Sequence, residues 1–164
     1  MHVLAIADTH VDGRRVDRLL ERLAAPLDEA DVVLHAGDIT EAVVLDALSE
    51  FAPVHAVRGN NDRGVDRPEE LRIELDGVHV AMVHDSGPAG GRATRLRRRF
   101  PRDDVVVFGH SHLPWYEVDV EDGHVQHHLN PGSAMQRRRA PTCTVAWIDL
   151  DGGAVVGIEH VAVG

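Results

Sequence analysis

Five times along this chain a short run of aliphatic and β-branched residues ends in a cluster of Asp, Asn and His. The runs are LAIADTH at 4–10, VVLHAGD at 32–38, HAVRGNND at 55–62, VAMVHD at 80–85 and VVVFGHSH at 105–112. Runs this short and this apolar read as strands buried within a sheet. In an α/β sheet, side chains just past the carboxyl ends of neighbouring strands converge on one crevice. Asp8, His10, Asp38, Asn60, His84, His110 and His112 are therefore expected to meet in space across a hundred residues of sequence. Taken singly, each has a plain structural explanation, since Asp after Gly is a common turn residue. Five clusters at the same end of successive strands have none. Gly37, Gly59 and Gly109 each precede a polar residue, where glycine permits the tight turn that aims the next side chain inward.

The segments between these runs complete an α/β pattern. Asp12 is placed to cap a helix carrying Val16, Leu19, Leu20 and Leu23, with Pro26 ending it. Thr40 is placed to cap a second helix with Val43, Val44, Leu45 and Leu48. Asp76-Gly77 joins two strands as a two-residue hairpin. Gly87 to Gly91 forms a loop into a short arginine-rich helix ending near Phe100-Pro101. The remainder reads as strands turning at Glu121-Asp122-Gly123 and Asp151-Gly152-Gly153. The expected architecture is two sheets packed together with helices outside, in one domain spanning 1–164.

Charge narrows the function classes. All seventeen basic residues are arginine, twenty-seven residues are acidic, and the net charge is −10. This balance argues against general nucleic-acid binding, which needs a basic footprint. A dense acidic surface repels itself in dilute salt and is relieved when counterions screen it. That predicts a halophilic source; a GC-rich genome explains the arginine but not the acidity. Cys143 is alone, so no internal disulfide forms, which fits a reducing compartment and a cytoplasmic location. No apolar run is long enough to span a bilayer, and the N-terminus lacks the features of a signal peptide.

The chemistry of the converging set is that of a metal site. Carboxylates and imidazoles bind manganese, iron, nickel, cobalt or zinc, and no thiolate is on offer for a structural zinc. Two divalent cations exceed the charge returned by Asp8, Asp38 and a bridging hydroxide, so the centre keeps a local positive charge that draws a phosphate ester. Such a pair lowers the pKa of a shared water and neutralises phosphoryl oxygens during in-line displacement.

The ordered motifs D-x-H at Asp8–His10, G-D at Gly37-Asp38, G-N-x-D at Gly59–Asp62, His84, and G-H-x-H at Gly109–His112 resemble the calcineurin-like metallophosphoesterases. Order and spacing are most similar to small single-domain prokaryotic phosphodiesterases, and Asn130-Pro131-Gly132-Ser133 resembles a segment found late in that subgroup. The resemblance implies a four-layer α-β-β-α sandwich of two mixed sheets with outer helices. It implies two divalent metals, manganese first: one on Asp8, His10 and His112, the other on Asn60, His84 and His110, with Asp38 between. It implies a phosphodiesterase in which a metal-bridging hydroxide attacks phosphorus, Asp38 positioning the metals while Asn60 and His110 place phosphoryl oxygens. Two positions depart from the pattern. Asn61 stands where many members carry a histidine that protonates the leaving oxygen or contacts phosphate, and Asp85 stands where glycine commonly follows the histidine. Asn61 is thus expected as a substrate contact that cannot donate a proton. The rival reading is a non-catalytic scaffold of the same fold, as in the retromer subunit, which keeps the fold with a degraded metal site. Outside the motifs, His35 and His55 are expected as hydrogen-bonded core or supporting residues. His127 and His128 match no motif, Arg97 to Arg99 read as a solvated helix face ahead of a phosphate contact, and Arg137 to Arg139 read equally as shaping the substrate pocket or pairing with surface acids. A homo-oligomer is compatible with the sequence.

Overall fold

The computed structural model describes all 164 residues. Strand β1 (His2–Ile6) leads through a 3₁₀ turn (Gly13–Arg15) into α1 (Val16–Glu29), followed by β2 (Val32–His35), α2 (Val43–Ser49) and β3 (Val54–Ala56). Then come β4 (Glu70–Leu75), β5 (Val78–Val83), α3 (Arg92–Arg99), β6 (Val105–Val107), β7 (Trp115–Glu121), β8 (His124–Asn130), β9 (Cys143–Asp151) and β10 (Ala154–Val163). They form two five-stranded mixed sheets, ordered β10-β9-β1-β2-β3 and β4-β5-β6-β8-β7.

Side-chain alternation stacks these sheets into layers. On β1, Val3 and Ala5 face inward with Leu34, Ile148, Val80, Met82, Val107 and Leu129, making the apolar layer between the sheets. Leu4 and Ile6 face outward, under Leu19, Leu23 and Leu27 of α1 and Val44, Leu45 and Leu48 of α2. On the far side, Ala81, Val83, Val106 and Phe108 pack beneath Leu96 of α3 and Phe100. The layers run α-β-β-α, as expected. No helix is long and apolar enough to cross a membrane.

Three hairpins turn where the sequence places them. Asp76-Gly77, Asp122-Gly123 and Gly152-Gly153 each hold two positive φ angles, and the flanking residues pair directly. Both residues of a type I′ turn need that region, which Asp and Gly enter at low cost.

The helix starts differ from expectation. Asp12 takes the Arg15 guanidinium at 3.4 Å instead of capping, and α1 begins only at Val16. Thr40 is held at φ 88° in a bridge with Val11, so α2 starts behind Ala42. Pro26 lies inside α1 rather than ending it. Near a C-terminus proline forfeits its own hydrogen bond, and the buried Leu27 continues the Leu19–Leu23 stripe past it. The arginine-rich helix is not wholly a solvated face either. Arg97 is buried against Asp119, and its Nη2 donates to the Asp119 and His124 carbonyls at 2.8 and 3.3 Å, pinning the β7–β8 hairpin to α3.

Candidate metal centre

The seven side chains gather at the carboxyl ends of β1, β2, β3, β5 and β6, the end shared by the parallel strands. His10 Nε2 and His112 Nε2 lie 3.1 Å apart, and His112 Nε2 is 3.5 Å from Asp8 Oδ1. On the other side, Asn60 Oδ1 faces His84 Nε2 at 3.1 Å and His110 Nδ1 at 3.0 Å. Asp38 lies between, with Oδ2 3.4 Å from His10 Nε2 and Oδ1 3.4 Å from His84 Nε2. Two sets of three, Asp8-His10-His112 and Asp8-Asp38-His84, are each close enough to hold one cation.

Backbone geometry aims these groups. Asp8, His10, Asp38, His110 and His112 all adopt positive φ, between 47° and 71°. For residues with a Cβ this region is sparsely populated and costs about 1–3 kcal/mol each. Local bonds hold them there: Asp8 N–H donates to Gly37 O at 2.9 Å and His10 N–H to Asp38 O at 3.0 Å. The glycines act differently from expectation at two of three positions. Gly37 does turn at φ 87°, but Gly59 and Gly109 are not left-handed. A Cβ on Gly59 would lie 2.2 Å from Asp38 Oδ1, and one on Gly109 would lie 3.0 Å from Asp8 Oδ2, so these two supply room.

Hydrogen bonds behind the centre fix which nitrogen faces it. A carbonyl can only accept, so His84 Nδ1 donates to Ala36 O at 2.8 Å and His112 Nδ1 donates to Gln136 O at 2.6 Å. Each leaves Nε2 turned inward, the arrangement that orients a metal-binding imidazole. The Asn130–Ser133 segment is a brace: Ser133 Oγ donates to Asp8 O at 2.7 Å, and Asn130 Nδ2 donates to Gly109 O at 2.8 Å. Asp62, the last residue of G-N-x-D, accepts from Thr40 N at 2.6 Å and Gly59 N at 2.8 Å, tying two ligand-bearing loops together. His35 is buried and its Nε2 meets Thr9 Oγ1 at 3.0 Å; burial pushes its pKa down to about 3. His55 is half-buried on β3. His127 pairs with Tyr116 Oη at 2.8 Å, and the buried His128 bonds Gln126 Oε1 at 2.7 Å, so both are committed within sheet two.

Electrostatics mark the centre as built for positive charge. Burial pushes the Asp8 carboxyl up to about 7, and its Oδ2 is buried without any hydrogen-bond partner. Burial opposes ionisation of Asp38 too, but hydrogen bonds from His84 and Asn61 outweigh it and hold the carboxyl below its ordinary range. Burial lowers His84, yet its bonds to Asp38 and the Ala36 carbonyl raise it overall. Burial pushes His10 down and takes His112 to about 4, so both are neutral imidazoles at physiological pH. Arg138 lies near enough to act electrostatically on Asp8, His10 and His112. Asn61 is turned toward Asp38, its backbone N–H 2.9 Å from Oδ1 and its Nδ2 2.7 Å from Oδ2. Asp85 accepts from Gly87 N–H at 2.7 Å, so a side-chain bond supports the turn where glycine is commonly found. An orphaned buried carboxylate oxygen among oxygen and imidazole acceptors fits a hard or borderline divalent cation.

The profile of the calcineurin-like phosphoesterase superfamily domain matches residues 1–153. The chain belongs to that superfamily. It is 32% identical over 154 residues to a probable metallophosphoesterase of Methanothermobacter thermautotrophicus, covering 91% of this chain and 87% of that one. It is 26% identical to the phosphodiesterase YfcE of Escherichia coli, covering 99% and 95%. Among solved structures, Vps29 of Entamoeba histolytica complexed with Zn²⁺ superposes with a TM-score of 0.69 at 23% identity, covering 99% of each chain. The superfamily is metal-dependent and acts on phosphate esters, and this chain carries groups able to hold metal.

Proposed function

We propose that this calcineurin-like phosphoesterase is a phosphodiesterase with a two-cation centre. Asp8, His10 and His112 would hold one cation, Asn60, His84 and His110 the other, with Asp38 shared between them. The carrying observation is the buried, partnerless Asp8 Oδ2 beside inward-facing imidazole nitrogens locked by backbone carbonyls. When bound, two such cations supply an activated water and neutralise phosphoryl oxygens. The chain's own residues do the rest. Asp38 presents one oxygen to each half of the centre, and the carbonyls of Ala36 and Gln136 keep His84 and His112 in the ligating tautomer. Asn60 and His110 line an adjoining cavity of about 420 Å³, where they can steady the phosphoryl group for in-line attack.

Manganese is the first metal to test, since the donor set is imidazole and oxygen. A non-catalytic scaffold draws on the same fold, which Vps29 shares. The complete set of seven side chains favours the enzyme. Protein purified without chelator should carry close to two transition-metal ions per chain and hydrolyse bis(p-nitrophenyl) phosphate. Asp38→Ala should lose both metal and hydrolysis while remaining folded. A wild type that is active without metal, or loaded yet inert toward every phosphate ester tried, would end this reading.

A further inference from the structure

The cavity beside Asn60, His84 and His110 has features the phosphodiesterase reading does not use. Val83 is its single apolar lining residue, and no Phe, Tyr or Trp reaches it, so nothing there offers a stacking face to a nucleobase. Arg58 and Arg99 stand on its walls, one following β3 of the first sheet and the other ending α3 over the second. Each is steadied by a glutamate: Arg58 Nη2 donates to Glu69 Oε1 at 2.5 Å, and Arg99 Nε donates to Glu70 Oε1 at 2.9 Å. In both, Nη1 has no protein partner and can donate to a ligand.

Apart from His84 and His110, both assigned to the second cation, the same cavity lacks a group free to hand over a proton. Asp62 accepts from two backbone N–H groups, Asp85 accepts from Gly87, and Glu69 accepts from Arg58. His110 Nδ1 is engaged by Asn60. Asn61 is a neutral amide already donating to Asp38. A departing oxygen must therefore be stable as an anion. An alkoxide is not, being about as basic as hydroxide, whose parent water has a pKa of about 15.7. A phosphate monoester is, because its second ionisation lies near about 6.

We propose that the preferred substrate is a phosphoanhydride, a diester of diphosphate, whose departing phosphate is received by Arg58 and Arg99. This rests on the metal-dependent phosphoesterase reading above. Water's oxygen bonds to the attacked phosphorus, the bond from that phosphorus to the bridging oxygen breaks, and the electron pair leaves on the bridging oxygen. The products are two phosphate monoesters, and the protons of the water pass to solvent as those monoesters ionise. No protein acid is consumed. The arginines then stabilise charge that grows on the leaving phosphate, so they serve the transition state more than the ground state.

The test compares three substrates at fixed metal and salt: P1,P2-dimethyl diphosphate, methyl 2-phosphoethyl phosphate and bis(p-nitrophenyl) phosphate. The last carries no second anion and reports the centre itself; if it is not hydrolysed, the underlying reading fails, not this inference. With it hydrolysed, kcat/KM for the diphosphate should exceed that for the alkyl diester by about 10²-fold or more, the usual worth of a missing acid. Arg58→Gln and Arg99→Gln should each lower kcat/KM for the diphosphate about tenfold more than for bis(p-nitrophenyl) phosphate, the scale of a charge-assisted hydrogen bond. Calorimetric binding of methylenediphosphonate to the metal-loaded protein should weaken by a similar factor in each. Equal rates on the diphosphate and the phosphate-bearing alkyl diester would overturn the proposal. So would arginine variants that weaken all substrates alike, or an unchanged affinity for the diphosphonate.

Discussion

Gly59→Ala should disable the centre through a single methyl group. A Cβ there would lie 2.2 Å from Asp38 Oδ1, 2.3 Å from Asp38 N and 2.9 Å from Asp38 Cγ. Non-bonded heavy atoms rest about 3.5–4.0 Å apart, so the two loops must part by about 1 Å or more. The obstacle is backbone and a carboxylate with two bonds to Asn61, not the end of a flexible chain. Overpacking of this kind costs about 1–3 kcal/mol, which for a chain of this size is roughly 2–12 °C in Tm. The larger effect is on function, because a displacement of about 1 Å at the reacting centre costs on the order of 10²-fold in rate. The assay is kcat/KM on bis(p-nitrophenyl) phosphate together with metal content and Tm. Gly64→Ala is the control: Gly64 also sits in the segment after β3, at φ 80°, but nothing lies within 4 Å of its added Cβ. It should lose only about 1–2 kcal/mol to backbone strain and keep its metal and activity. A Gly59→Ala protein with wild-type kcat/KM and full metal content would show that Asp38 does not need the position it holds here.

Asn61→His should flatten the dependence of rate on leaving-group pKa across a series of aryl diesters, since a placed acid contributes about 10²–10⁴-fold and the amide none; a shallow slope already present in the wild type, with chemistry rate-limiting, would refute this. His128 should make the fold acid-sensitive. Burial lowers its pKa from 6.5 to about 4, so between those values only the unfolded chain takes up the proton. Stability is then complete above pH 6.5 and falls by about 3 kcal/mol as pH drops to 4, a loss that His128→Leu should remove from denaturant midpoints read across that range. The thermal midpoint should rise between about 0.1 M and 1 M salt as screening shortens from about 10 Å to about 3 Å, and a flat midpoint would leave codon bias as the account of the lysine-free composition.

The seven converging residues were legible because a strand's carboxyl end is a place, and sequence marks it with a change from aliphatic to polar. The hairpins were legible because Asp-Gly and Gly-Gly name the one backbone region their turn requires. What sequence conceals are the partners without side chains. The carbonyls of Ala36 and Gln136 choose the tautomers of His84 and His112, and no residue type announces them. The failed caps share a cause, since Asp12 and Thr40 flank ligand loops that bridge at Val11 and Thr40 before any helix begins. The burial of Arg97 is invisible in sequence because its pairing with Asp119 depends on how β7 folds back beneath α3. Asp62 belongs to the G-N-x-D motif, yet its work, holding Thr40 and Gly59 together, shows only in three dimensions.

The strain at the centre and its burial of charge belong to one design. Five of its seven candidate ligands occupy left-handed backbone, and the acid most deeply placed, Asp8, is raised to about 7 with one oxygen unpaired. Neither feature stabilises a metal-free chain. A cation would answer the buried charge and offset the strain: it would favour the ionised Asp8 and turn the convergence of acceptors into attraction. The fold tolerates them because the apolar layers that hold it lie away from the carboxyl ends: Leu4, Leu34, Met82 and Val107 are fully buried along the strands, and the polar residues begin only where the strands stop. On the proposed two-cation reading, loading and folding are coupled. The acidic exterior sets the reach of the centre: at physiological salt its repulsion extends about 8 Å, which opposes a polyanion across a broad face. A compact phosphate ester presents little to that field, so on the proposed reading it can reach a metal-loaded centre that a polyanion approaches only against repulsion.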